Sequence, residues 1–207
     1  MPRPALLPVH HPLAFSSPTD GHQNNLKTPA EHSSLANPQS ADDKVHFLFE
    51  RQRLVSLLDE YAYVLDACMV HHAAAQTWAG LFTDDCIVTF PFGTHHGTKG
   101  LSGWCLGAET RFSRMLHMSS NMTITFESDI IAHGRSALFA ICGVHSDNIN
   151  KNFSEGGYYY WSFRKVGETW KISYLFLDVM WENGDSLGLN EPGAATTRAE
   201  AGLGSHL

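Results

Sequence analysis

The chain has 207 residues and a hydrophobic share of 43%, enough for a packed core and a length that favours one domain. Its formal net charge of −7 supplies no basic face for nucleic acid. No apolar run is long enough to span a membrane, so neither nucleic acid nor membrane is an expected partner.

The N-terminus lacks the apolar core of a secretory signal. Cys68, Cys86, Cys105 and Cys142 lie far apart in apolar stretches without CxxC spacing, which points to buried reduced thiols and a cytoplasmic setting. Residues 1–42 hold seven of the nine prolines with much Ser, Asn and His, and read as a disordered leader. The first helical period follows, with Leu54, Leu57, Leu58, Tyr61 and Leu65 on one stripe and Asp42 or Asp43 placed to cap it. A shorter helix is expected over 72–82, carrying Ala75, Trp78, Leu81 and Phe82. After Thr83-Asp84-Asp85 a strand is expected over 87–90, stopped by Pro91 and Gly93. Residues 99–113 read as a third helix with Trp104, Leu106 and Phe112. The chain then turns to β. Met122, Ile124 and Phe126 alternate with polar residues, and further strands are expected over 136–145, 157–165 and 169–180, the last two joined by a Gly167-Glu168 turn. Residues 183–207 are Gly- and Ala-rich and read as a flexible tail. Helices first and an antiparallel meander last define an α+β domain over 43–182. Residues 157–163, Gly-Tyr-Tyr-Tyr-Trp-Ser-Phe, are apolar on both faces. One of those faces must cover a ligand pocket or a subunit interface.

No GxGxxG, P-loop or GxSxG signature is present, so chemistry falls to scattered acid–base groups. Asp66 follows Leu65 at the end of an apolar helix face, where a carboxylate either caps, pairs or faces a cavity. The alternative is a solvated helix-end aspartate. His117, in Arg-Met-Leu-His-Met-Ser-Ser-Asn, titrates near neutrality and can give or take a proton; the alternative is a structural histidine. Asn121 either holds the local backbone or orients a substrate oxygen. His71-His72 and His95-His96 are adjacent pairs that point in different directions, and no metal is expected. Aromatics such as Tyr63, Trp104, Tyr159, Trp161 and Trp181 are core or pocket wall.

Leu-Leu-Asp-Glu-Tyr-Ala-Tyr-Val-Leu-Asp, Trp-Ala-Gly-Leu-Phe-Thr-Asp-Asp-Cys-Ile-Val, Gly-Thr-His-His-Gly, His-Met-Ser-Ser-Asn-Met-Thr-Ile and Gly-Glu-Thr-Trp-Lys-Ile-Ser together resemble SnoaL-like proteins of the nuclear transport factor 2-like fold. The likeness covers about residues 45–182. Within that fold the sequence is also similar to scytalone dehydratases. Asp66 and His117 fall where that family keeps an aspartate and a pocket histidine, and Asp178-Val-Met-Trp181 is similar to its C-terminal Asp-x-x-Trp. Leu65 stands where it keeps a tyrosine, Tyr159 near its pocket asparagine, and His145 near a second histidine. Phe90 stands where ketosteroid isomerases place their base, so that mechanism does not transfer.

The resemblance implies a cone of N-terminal helices on a curved, mostly antiparallel sheet. It implies a cofactor-independent enzyme of secondary metabolism, a cyclase, dehydratase or isomerase acting on a polyketide- or terpenoid-like molecule. Asp66 and His117 are the expected catalytic residues. Tyr63, Trp104, Asn121, His145, Tyr159, Trp161 and Trp181 are the expected substrate contacts, and a homodimer is expected. The rival readings are a non-catalytic binding or assembly domain, and the small subunit of an aromatic-ring dioxygenase.

Overall fold

The computed structural model describes residues 33–189. The first 32 residues of the expected leader, and the tail from residue 190, lie outside the described residues. Residues 33–42 are not a loose leader. Ser33 Oγ and the Leu35 amide both donate to Asp129, and the Leu35 side chain is buried. A single apolar anchor with two charge-assisted bonds holds this segment against the sheet end.

The first helix, α1, spans Ala41–Ala67. Its cap is Ser40 rather than an aspartate. Ser40 Oγ accepts from the Asp43 amide at 3.0 Å, and Asp43 returns the bond to the Ser40 amide at 2.9 Å. Asp43 thus sits inside the first turn as the second half of a capping box. The stripe read from sequence is buried at Leu54, Leu58, Tyr61 and Leu65, joined by Val64 and by Glu50. Glu50 ties α1 to the last hairpin by accepting from Arg53, Lys165 and the Trp170 indole. Burial works against its charge, but those donors outweigh it and hold its carboxyl below the ordinary value.

Helix α2 (Ala74–Gly80), strands β1 (Phe82–Phe90) and β2 (Gly93–His96), and helix α3 (Leu101–Glu109) follow. Then come β3 (Arg114–Phe126), β4 (Ile131–Gly143), β5 (Asn152–Val166) and β6 (Thr169–Asn183). Two features escaped the sequence. The four-residue β2 pairs back on β1, and β3 begins early enough to put His117 on a strand. One sheet runs in the order β2-β1-β6-β5-β4-β3. Among the described residues only the β1–β6 pairing is parallel, so the sheet is mixed and unclosed. Gly167 carries a φ of 59° in the β5–β6 turn, a conformation glycine adopts without steric cost.

The helices cover one face of the sheet. Tyr159, Trp161 and Phe163 of β5 point to that face and are buried. Trp161 packs edge-on against Tyr61 of α1 at 5.1 Å between ring centroids. The other face is open, with Leu116, Met118, Phe139 and Trp181 all substantially exposed. Among the described residues no helix is long and apolar enough to cross a membrane.

Candidate active site

Two edges of the fold meet at the end of α1. Strand β3 is the last strand of the sheet, so some of its backbone N–H groups have no ladder partner. The end of α1 covers this edge. Asp66, in its last turn, accepts the His117 amide with both carboxylate oxygens, at 3.0 and 3.2 Å. The same carboxylate accepts from the His117 ring, with Nδ1 2.7 Å from Oδ1. A carboxylate only accepts, so Nδ1 carries the hydrogen and Nε2 is left with its lone pair. The His117 side chain is only 8% exposed. Burial opposes its positive charge, but the Asp66 hydrogen bond and the carboxylates around it outweigh that and raise its pKa above 6.5.

His117 lines a narrow cavity between the helices and the sheet. Leu65, Phe90, Pro91, Phe92, Leu177 and Leu189 form its apolar wall. Tyr159, Cys142, Glu109 and Glu155 complete it. The free volume is about 20 Å³, room for roughly one water. The expected greasy hollow is therefore nearly closed in this structure. Leu189 is part of the reason. After β6 the chain folds back, Arg111 donates to the Leu187 carbonyl at 2.9 Å, and the Leu189 side chain is buried against the cavity.

The structure brings together Asp66, His117 and Tyr159 from the expected set. Burial and the nearby Glu155 push the Tyr159 hydroxyl well up, so it stays a hydrogen-bond donor near neutral pH. Trp104 stands behind the cavity, stacked on Phe90 at 5.6 Å, and braces the wall from outside. Trp161 is core, with its indole N–H donating to Ser136 Oγ at 3.0 Å.

Four expected contacts lie elsewhere. Tyr63 is 70% exposed, because two residues beyond Tyr61 a helix has turned to its opposite side. Asn121 is exposed, with φ 52° at a bulge in β3, so its role is in the backbone. His145 lies past the end of β4, exposed, its carbonyl accepting from Arg114. Trp181 is displaced by a bulge. Gly157 pairs with Val179, yet Gly156 pairs with Trp181, so β6 carries one extra residue there. That extra residue flips Trp181 to the outer face, where it packs on Phe139. Its indole lies over Gly156, at a place where a Cβ would come within 2.4 Å of it.

Glu109 and Glu155 are the residues sequence reasoning missed. Glu109 ends α3 and is 9% exposed; Glu155 on β5 is 6% exposed. His117 pairs with Ala140, and Ala140 pairs with Glu155. Glu155 is therefore two strands from His117 on the same face, roughly 10 Å across the backbone. Both had a signal. Leu101, Cys105 and Glu109 fall at i, i+4 spacing on a buried stripe, and Glu155 alternates with Phe153. Among the described residues no group of three His, Cys, Asp or Glu side chains is arranged to hold a metal ion. A second cleft, of about 300 Å³, opens on the other side of the sheet beside Asp85, His133, Ser162 and Arg164.

Helices packed on one face of a curved, unclosed mixed sheet give this chain the nuclear transport factor 2-like fold. The family model described as SnoaL-like domain matches residues 48–175, and the chain belongs to that family. No curated protein matches it. Among solved structures it is similar to a Novosphingobium aromaticivorans DSM 12444 protein provisionally named a scytalone dehydratase. The identity is 24% and the TM-score 0.61, over 69% of this chain and 91% of that one. It is also similar to a protein of that organism provisionally named an aromatic ring hydroxylase, at 18% identity and TM-score 0.60, over 70% and 98% of the two chains. A third is hexachlorocyclohexane dehydrochlorinase LinA-type3 from Novosphingobium barchaimii LL02, at 16% identity and TM-score 0.58, over 69% and 94%. At these identities the likeness concerns the fold.

Proposed function

We propose that the protein is an acid–base enzyme of the lyase or isomerase kind, needing no cofactor, that acts on a small hydrophobic carbonyl compound. The family resemblance points to a polyketide- or terpenoid-like molecule of secondary metabolism as the substrate, and the apolar cavity wall is compatible with one. The observation that carries the reading is the 2.7 Å bond between Asp66 and His117 Nδ1, on a residue that lines the cavity. Asp66 fixes the tautomer and stabilises the imidazolium that forms when Nε2 takes a proton. The apolar wall excludes water and strengthens that interaction. Tyr159, a neutral phenol on the same wall, is the donor for the substrate oxygen on which negative charge develops. The dehydratase and dehydrochlorinase names among the structural neighbours support this kind of chemistry.

The near-closed cavity is the observation that favours the rival reading, a non-catalytic assembly domain. Proton exchange separates the two. In D₂O, 2-tetralone loses its acidic α-hydrogens when a base removes them, and proton NMR follows the loss. The wild-type protein is expected to accelerate this exchange, and His117→Ala to slow it about 100-fold or more. Equal rates for wild type, His117→Ala and buffer would leave the assembly reading standing.

A further inference from the structure

Glu109 is a buried acid for which the proton abstraction described above has no use. It closes the stripe of Leu101 and Cys105 on α3 and faces the cavity beside His117. Among the described residues no hydrogen bond engages its carboxyl group, so it neither caps nor ties any element. It also sits at the C-terminal end of its helix, where the macrodipole disfavours a negative charge. The groups facing it are His117 on β3, Glu155 on β5, Asp66 on α1 and Arg111 just past α3. Burial, opposed by His117 and Arg111 and aided by Glu155 and Asp66, pushes its carboxyl up to about 7.

We propose that Glu109 is the acid partner of His117, delivering the proton that the substrate's leaving oxygen takes up. The inference rests on the reading of His117 as the base. In a β-elimination, His117 Nε2 takes the hydrogen α to the carbonyl, and its bonding pair becomes the new C=C bond. The C–O bond breaks with its electrons on oxygen, and the Glu109 proton converts that oxygen to water or an alcohol. One proton then moves through water from the imidazolium to the Glu109 carboxylate and restores both groups. Neutral His117 with protonated Glu109 holds the same number of protons as the ion pair, so the two groups titrate together and the rate has a bell-shaped pH profile.

Two aryl ethers test this. 4-(4-Nitrophenoxy)butan-2-one expels a phenolate that leaves without help, whereas 4-(4-methoxyphenoxy)butan-2-one expels one that needs a proton. Glu109→Gln keeps the shape of the protonated acid. It is expected to lower kcat/KM on the methoxy ether about 100-fold, and on the nitro ether less than about tenfold. Equal losses on both would overturn the role. His117→Ala is expected to lose both activities alike. If it does and the graded loss at Glu109 is absent, only the acid fails; if it retains both, the base reading itself fails. Carboxyl ¹³C NMR on glutamate-labelled protein decides independently of turnover. The resonance that Glu109→Gln removes is expected to titrate near pH 7, and a midpoint in the ordinary carboxylate range would overturn the proposal.

Discussion

Glu109→Gln also has a stability consequence that requires no substrate. In the folded protein the carboxyl titrates at about 7 against an ordinary value of 4.5. Between those pH values the unfolded chain has released the proton and the folded chain still holds it, so stability falls as pH rises. The loss begins near the unfolded value, is complete above the folded one, and amounts to about 3 kcal/mol at 1.36 kcal/mol per pH unit of displacement. His117 acts with the same sign. Its folded pKa lies above 6.5, so its contribution is full below that pH and is lost as pH rises through the folded value. Gln cannot ionise, so the variant lacks the Glu109 slope and also the part of the His117 shift that the Glu109 charge supplies. Urea unfolding followed by tryptophan fluorescence, from pH 4.5 to 8, reads the difference. The variant is expected to gain on wild type by about 3 kcal/mol across that range. A difference that stays constant with pH would show that Glu109 ionises normally, and the reasoning would fall.

Asp66→Asn removes the charge that supports the imidazolium. The His117 ring is then expected to titrate lower than in wild type, read from its Cε1 proton by NMR, and 2-tetralone exchange to fall about 100-fold; an unmoved titration would contradict the pairing. Leu189→Ala takes a buried side chain off the cavity, so an aromatic probe such as 2-naphthol no longer has to displace it. Burying a leucine is worth about 1.5–3 kcal/mol, so the probe is expected to bind about tenfold tighter or more by fluorescence titration. Unchanged affinity would mean the probe does not enter past Leu189. The exposed row of Met118, Phe139 and Trp181 runs across β3, β4 and β6 and suits the proposed homodimer, so Phe139→Lys is expected to turn a dimer into a monomer in sedimentation at micromolar concentration. A monomeric wild type would remove that assignment.

The parts of this molecule that could be read from its sequence are those set by local pattern. The α1 stripe, the alternation in β3 and the Gly167-Glu168 turn all depend on neighbours within a few positions. Asp66 stood out because it ends such a pattern and His117 because an imidazole titrates near neutrality, and the family resemblance placed them together. What failed depends on register. A single extra residue in β6 sends Trp181 to the outer face, and no residue type in Asp178-Val-Met-Trp181 marks that bulge. Tyr63 was grouped with the aromatics that form core or pocket wall, although helical rotation points it to solvent. Glu109 lay in the weakest of the three helical patterns, and Glu155 at the end of a polar stretch that reads as a connector. Their burial arises only when α3 and β5 close on the same cavity. The parallel β1–β6 contact is likewise a pairing between strands about 90 residues apart, beyond the reach of local signals.

The central claim is that His117, held by Asp66, removes a proton from a carbonyl compound inside the cavity. A crystal structure with 2-tetralone bound tests it most directly. The ring carbon next to the carbonyl is expected to lie about 3–3.5 Å from His117 Nε2, with Leu189 moved aside. Occupancy of only the cleft beside His133 and Ser162, or a cavity that stays shut around its wall while the Asp66–His117 bond persists, would contradict it.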